Sequence, residues 1–243
     1  MPLTSLGFDL GKTGNTVVTV IQGENFKLRC SHIQSLSSIA PSQAEEMLKL
    51  NCAIYSPDIV VLESNGPGYV FIDYLVKNSS NTNLPIMSVD TGNPVPDDLE
   101  LELWDEIKLT SRDFLNIRAL MYWITRLVFR DKRMSLYKED PELFAQLSKM
   151  GWEFDENKKD KIKIESKRKM RQKFYQSELG PISTGRSPDK ADSFCLAVLG
   201  YAILHMEHAV SSRPALPDIE AVIEPPIGFD GFFPIGRAGI EWE

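Results

Sequence analysis

Four acidic residues stand where a carboxylate can be aimed rather than merely solvated. Asp9 closes the stretch Ser5-Leu6-Gly7-Phe8, directly before the glycine-bearing Gly11-Lys12-Thr13-Gly14. Glu63 closes a continuous apolar run, Ile59-Val60-Val61-Leu62. Asp189 and Asp192 lie three residues apart behind Ser187-Pro188, a helix-start signal, so they project from nearly the same face of a first helical turn. Each position has an ordinary explanation, since an Asp before a glycine turn is commonly a turn former and an Asp early in a helix a cap. Their settings argue for more. Glu63 ends a run too apolar for a solvated patch, and Asp192 is followed by Phe194-Cys195-Leu196-Ala197-Val198-Leu199. Carboxylates drawn into one place repel one another unless a cation lies between them. All-oxygen ligands suit Mg²⁺ or Mn²⁺, which take one or two carboxylates and keep positions for water and phosphate oxygens. Two such ions about 3.5–4 Å apart can drive hydrolysis of a phosphodiester.

The elements that must position these acids can be read from periodicity. Residues 5–9 and 16–22 are strand-forming and separated by a glycine turn, which predicts a hairpin, and a third strand includes Lys27–His32. Pro41–Tyr55 has the spacing of an amphipathic helix, and Asp58–Glu63 reads as a strand buried on both faces. Beyond Asn65-Gly66-Pro67-Gly68, Val70–Lys77 reads as helix and Leu84–Val89 as strand. Asp113–Arg130 is predicted helical behind Thr110-Ser111 as caps, Pro141–Met150 as a shorter helix, and Lys161–Glu165 as a strand. Ser166–Tyr175 reads as a basic helix and Asp189–Val210 as the most apolar helix. Strands with helices between and after them define an α/β layered domain. Residues 1–212 are expected to form it. Residues 213–243, with five prolines and four glycines, are expected to form a tail, partly extended or tied down by a neighbour.

Charge is unevenly spread. The chain of 243 residues carries a formal charge of −7, yet nine basic residues against two acids lie between Lys158 and Lys173. That segment is locally +7, so the remainder carries −14. Asp97, Asp98, Glu100, Glu102, Asp105 and Glu106 form an opposite cluster. A charge run is usually a solvated face. Beside an acidic metal site, however, a concentrated basic stretch suits contact with phosphates. The candidates are Lys167, Arg168, Lys169 and Arg171. No apolar run approaches the roughly 20 residues of a membrane span, and no basic-then-apolar leader opens the chain, so a cytoplasmic protein is expected. Cys30, Cys52 and Cys195 lie far apart and form no CxxC, so neither a zinc site nor a disulfide framework is suggested, and reduced, structural thiols are expected.

An ordered set of short motifs runs through this frame: Gly7-Phe8-Asp9 with Gly11 and Gly14; Leu62-Glu63-Ser64-Asn65-Gly66-Pro67-Gly68; Asn116-Ile117-Arg118-Ala119; Ile164-Glu165-Ser166-Lys167; and Ser187-Pro188-Asp189-Lys190-Ala191-Asp192. In order and spacing the set resembles the C-terminal nuclease domain of phage terminase large subunits over roughly residues 5–205. The resemblance implies a ribonuclease H-like fold, a mixed central β-sheet flanked by helices, related to Holliday-junction resolvases. It implies an endonuclease that cuts double-stranded DNA during viral genome packaging with Mg²⁺ or Mn²⁺. Carried over by position, Asp9, Glu63 and Asp192 are the expected metal ligands; Asp189, the neighbouring acid, is the fourth candidate for metal binding and catalysis, either a ligand itself or the helix-start acid beside them; and Lys167 lies near the active site. Asn15 stands where many members have a second Asp, and an amide oxygen is the weaker ligand. Implied partners are portal and small terminase proteins, and the implied location is the host cytoplasm. The ATPase motor that normally precedes this domain is expected to be excised or a separate chain.

Other classes compete. A junction-resolving ribonuclease H-like endonuclease would share the acids. An actin-like ATPase is suggested by Asp9-Leu10-Gly11-Lys12-Thr13, but no second phosphate loop or adenosine motif follows. Nor is Gly11-Lys12-Thr13 a P-loop, which needs glycine at the position of Leu6 and a strand-to-helix transition. A DNA-binding module with a decayed site is disfavoured by the presence of all the expected acids.

Overall fold

Side chains alternate across a strand with period two, and in the first strand that alternation sets the layering. Leu6 and Phe8 pack to one side, while Ser5, Gly7 and Asp9 take the other. The computed structural model describes residues 2–11, 15–37, 39–78, 85–157, 160–166, 169, 188–211 and 234–235. Along the chain these form β1 (Leu3–Asp9), β2 (Asn15–Glu24), β3 (Lys27–Ser37), α1 (Pro41–Tyr55), β4 (Ile59–Glu63), α2 (Pro67–Asn78) and β5 (Ile86–Val89). They continue with β6 (Glu100–Glu102), β7 (Lys108–Thr110), α3 (Ile117–Arg130), β8 (Met134–Leu136) and α4 (Pro141–Ser148). The last are β9 (Trp152–Asp155), β10 (Lys161–Ile164), α5 (Asp189–Ser211) and β11 (Pro234–Ile235).

The main sheet has the order β11-β5-β4-β1-β2-β3-β8. β1, β4 and β5 run parallel, whereas β2 is antiparallel to both β1 and β3. Two-stranded ribbons β6-β7 and β9-β10 lie outside it. One face packs on α1 and α2 through Leu6, Phe8, Val60, Leu62, Ala44, Leu48 and Phe71. The other packs on α3 and α5 through Ile21, Val61, Leu120, Ile124, Cys195 and Val198. Each large apolar side chain so buried contributes about 1.5–3 kcal/mol. Both faces of β4 are covered, which is why its sequence is continuously apolar rather than alternating.

Helix α5 is buried around most of its circumference, as an apolar helix without a polar face must be. It lies close against the sheet. A Cβ on Gly7 would collide with the backbone of Ser193 and Ala197. Ser193 uses its hydroxyl to bond the Gly7 carbonyl at 3.0 Å and Thr19 Oγ1 at 2.9 Å. The first turn of α5 is docked to α4, where Gln146 accepts the Ala191 N–H and Lys190 reaches Asp140 and Glu142.

Most predicted elements appear near their expected places. Helix α3 begins later than expected because Thr110–Asp113 closes on itself as a turn, with Asp113 accepting the Thr110 N–H. Asn116 is the cap, accepting from Ala119 N, so Thr110 and Ser111 do not start the helix. Third-strand pairing extends to Ser37. The ribbons β6-β7 and β9 and the edge strand β8 went unpredicted. Trp123 and Trp152 meet edge to face at 5.2 Å with Arg126 over both rings. From the tail, Pro234 and Ile235 pair antiparallel with Met87 and Ile86. The basic helix predicted over Ser166–Tyr175 lies almost wholly outside the described residues.

Candidate metal centre

Asp9 and Glu63 are the last residues of neighbouring parallel strands. Because Phe8 pairs with Leu62, the next residue on each strand is an acid at the same sheet edge. Period two then puts both on the face that α5 covers, since Ser5 and Gly7 on one strand and Ile59 and Val61 on the other point that way. Asp192, on the first turn of α5, completes the group. Carboxylate oxygens of Asp9, Glu63 and Asp192 lie within 4.8 Å of one another. Their side chains belong to residues only 5%, 6% and 1% exposed, so this is not a solvated acidic patch.

Asp189 is equally buried but is not among the three. Its Oδ2 accepts the backbone N–H of Asn15 at 2.9 Å, tying the start of β2 to the start of α5. Asn15 is itself the first residue of β2. Of the four basic candidates, Lys169 is exposed, with its N–H on Ser166 Oγ, whereas Lys167, Arg168 and Arg171 lie outside the described residues.

Glu63 and Asp192 each have a cradle. Thr91 donates its hydroxyl to Glu63 Oε1 at 2.7 Å, and Asn65 Nδ2 reaches the same oxygen at 3.4 Å and Thr91 Oγ1 at 3.1 Å. Tyr122 donates its phenol to Asp192 Oδ1 at 2.7 Å, and Arg118 Nη2 stands 3.5 Å from that oxygen. The other fork of Arg118 donates to the Glu165 carbonyl at 2.7 Å, and its backbone N–H donates to the Thr91 carbonyl at 2.9 Å. Glu63, Thr91, Arg118, Asp192 and Tyr122 thus form one connected network.

Its electrostatics follow from that geometry. Burial works against the Arg118 charge, but Asp192, Tyr122 and Glu63 outweigh it and hold the guanidinium pKa above its ordinary value. For Tyr122, burial first and then the Asp192 charge push the phenol well above 10, so it stays a proton donor. Burial also acts on the cysteines, raising Cys30 to about 12, Cys52 to about 11, and Cys195 further still. All three are free thiols.

Arg118 carried no assigned role in the sequence reading, and Thr91 and Tyr122 were missed. A signal existed for two of them. Arg118 and Tyr122 are one turn apart on a helix whose neighbouring positions are apolar, and an Arg on a buried face is almost always paired. Thr91 gave no signal, because it sits in an irregular turn.

The fold is ribonuclease H-like: a mixed central sheet whose second strand runs against its neighbours, with helices on both faces. Among solved structures, the nuclease domain of the large terminase subunit gp2 of bacterial virus Sf6 superposes with a TM-score of 0.59 at 17% identity, covering 81% of this chain and 87% of that one. A form of that domain with manganese and β-thujaplicinol gives 0.58 at the same identity and coverage. The large terminase nuclease of thermophilic phage G20c with bound magnesium gives 0.51 at 14% identity, covering 82% of this chain and 81% of that one. At these identities the likeness establishes the fold. No family model matches the chain, and no curated protein is recognisably similar in sequence. Among the described residues, no helix is long and apolar enough to cross a membrane.

Proposed function

We propose that this chain is a Mg²⁺- or Mn²⁺-dependent endonuclease that hydrolyses double-stranded DNA, serving viral genome packaging as the nuclease domain of a large terminase subunit. The observation that carries the reading is the convergence of Asp9, Glu63 and Asp192 within 4.8 Å, buried at one sheet edge of a ribonuclease H-like fold. Three buried like charges so close are costly without a cation, and an all-carboxylate donor set matches a hard divalent ion. The Sf6 and G20c domains, of the same fold, hold manganese or magnesium.

In this reading Asp9, Glu63 and Asp192 hold two ions, with Asp189 the adjacent acid that fixes the β1-β2 hairpin against α5. Bound there, such ions would supply activation of an attacking water and stabilisation of the departing oxygen of the phosphodiester. The chain's own groups orient the ligands: Thr91 aims Glu63, and Tyr122 with Arg118 aims Asp192. Just beyond β10, the sequence runs from Glu165, whose carbonyl Arg118 holds, to Lys167, Arg168, Lys169 and Arg171, which contact DNA phosphates without sequence preference. An ATPase motor on another segment or chain, a portal protein and a small terminase protein are the expected partners, in the host cytoplasm.

The test is cleavage of supercoiled plasmid with Mn²⁺ or Mg²⁺. Cutting is expected with either ion, none with chelator, and none with Asp9→Asn. Undiminished cutting by Asp9→Asn refutes the assignment. Cleavage of four-way junctions without cleavage of linear duplex would redirect it to a junction resolvase.

A further inference from the structure

A cavity of about 460 Å³ opens between α3, α4 and the β9-β10 ribbon. Half-buried Phe129, Leu147, Met150 and Ile164 line it, together with the rings of Phe144 and Trp152, which are 43% and 42% exposed. Phe154, 5.5 Å from Trp152, adds a further ring that is 54% exposed. Large apolar side chains gathered on a surface mark a place that something covers. Two cations line the same cavity. Arg130 is bound to Asp131 through Nε and Nη2. Arg126 lies over the rings of Trp123 and Trp152, at 4.9 and 5.0 Å, and has no carboxylate partner among the described residues. A guanidinium held flat on two indoles presents its N–H edge, which carboxylates bind as a fork. The occupant that fits is an apolar side chain flanked by acid. Nucleic-acid bases fit less well, because Arg126 covers the indole faces on which they would stack and one unpaired arginine does not track a phosphate backbone.

We propose that this groove seats the last residues of the same chain, Ile240-Glu241-Trp242-Glu243, with Trp242 as the apolar anchor and its two neighbouring carboxylates at Arg126. The inference goes beyond the metal-centre reading and does not depend on it. These four residues, outside the described part of the chain, join two apolar side chains to two acids, the complement of an apolar cavity with an arginine at it. Their reach suffices. β11 pairs with β5 at Ile86 and Met87, and eight residues follow Ile235. Helix α3 starts on the same side of the sheet, where the Arg118 N–H meets the Thr91 carbonyl just beyond β5. It then runs back toward the other end of the strands, because it leads into β8, which pairs with the start of β3. From Ile86 to Thr91 is about 17 Å of extended chain and from Arg118 to Arg126 about 12 Å of helix, two legs that double back on each other. Gly236 to Trp242 extends to about 24 Å, enough to join their far ends.

The experiment is fluorine NMR of the full chain labelled with 5-fluorotryptophan, with circular dichroism to check folding. The four tryptophans, Trp104, Trp123, Trp152 and Trp242, are assigned from their Trp→Phe variants. In wild type the Trp242 resonance is expected away from its free-peptide position, with little solvent isotope shift, and unchanged on dilution. Trp242→Ala should move the Trp152 resonance and leave that of Trp104 in place. Adding the free peptide Gly239–Glu243 should return Trp242 to its free position. Reversing Glu241 and Glu243 to arginine should cut the peptide needed about 10-fold, the loss of one or two exposed ion pairs and their conversion to repulsion. Adding Arg126→Glu to that reversal should bring the requirement back to the wild-type level or above. A wild-type Trp242 at the free position, a Trp152 indifferent to Trp242→Ala, or equal peptide requirements for wild type and the tail reversal overturn the inference. Protection lost on dilution overturns it in favour of a second copy as the occupant. An oligothymidylate that shifts Trp152 while Trp242 stays free overturns it in favour of a base-stacking platform. The tail variants leave every described residue in place, so they decide the matter even if Arg126→Glu does not fold.

Discussion

Lys190 lies between the two acids on the first turn of α5, and its replacement by methionine is a direct test of how that turn is held. Its ammonium is 2.9 Å from Asp140 Oδ2 and 2.9 Å from Glu142 Oε2, with side-chain exposures of 15% for Lys190 and 14% and 30% for the acids. Fully exposed pairs contribute about 0–1 kcal/mol and broken buried pairs cost about 3–5 kcal/mol. A triad this far from solvent, but not sealed from it, falls between them, at about 2 kcal/mol. For a chain of this size, that is a fall in Tm of about 4–8 °C. The pH dependence fixes the cause. Burial raises the Asp140 pKa, but the Leu143 N–H and Lys190 outweigh it and leave it below 3.8. A depressed carboxylate stabilises the fold above its unfolded pKa and loses that contribution as pH falls through its folded value. For Lys190, burial lowers the pKa, while Asp140 and Glu142 carry it above 10.5, so its contribution persists across neutral pH and fades only when alkali reaches that raised value. The wild-type advantage over Lys190→Met should therefore be flat from about pH 5 to 9 and shrink in acid below the ordinary Asp range. Thermal unfolding followed by circular dichroism at pH 7 and pH 3 measures it. A Tm difference under about 1 °C at pH 7, or an equal difference at both pH values, would refute the reasoning.

Two further outcomes follow from the same contacts. Thr91→Val removes the hydroxyl that donates to Glu63 Oε1 at 2.7 Å while keeping the side-chain shape; Mn²⁺ affinity should fall about 10-fold by direct titration, with Tm changed by only a few degrees. Neutralising Lys167, Arg168 and Lys169 together to glutamine should weaken duplex binding in chelator and lower the slope of log K against log salt by about 2–3, and an unchanged slope would remove that segment from the phosphate-contacting surface.

The strands that carry Asp9 and Glu63 were legible because two independent periodicities agreed. β1 alternates, so the residues flanking Phe8 share a face, and β4 is apolar throughout, so it lies inside the sheet. Their adjacency was not legible. It depends on β4 inserting beside β1 in parallel after the α1 crossover, a pairing of residues more than fifty apart in sequence. The β6-β7 ribbon and the strands β8 and β9 escaped for a simpler reason: strands of three or four residues give too few alternations to separate from turn. The later start of α3 escaped because Thr110 and Asn116 are both good capping residues. Only tertiary pairing, of Leu115 N with the Ile162 carbonyl and Ile117 N with the Asn93 carbonyl, decides between them.

The reduction of four acids to three plus one turns on a competition that sequence spacing cannot display. Asp189 and Asp192, at i and i+3, lie on neighbouring positions of the same helical face, and helix geometry alone treats them alike. What separates them is what stands opposite. The antiparallel return of β2 brings the Asn15 N–H to Asp189, whereas Asp192, three residues further along α5, has a carboxylate oxygen within 4.8 Å of those of Asp9 and Glu63 at the ends of β1 and β4. One acid therefore braces the hairpin whose first strand delivers Asp9, and the other joins Asp9 at the centre. Removing Gly7's freedom to accept α5 at close range would disturb both at once, because the approach of Ser193 and Ala197 to that glycine sets the height of the first turn above the sheet. The candidate centre is thus an outcome of helix-to-sheet distance as much as of the acids themselves.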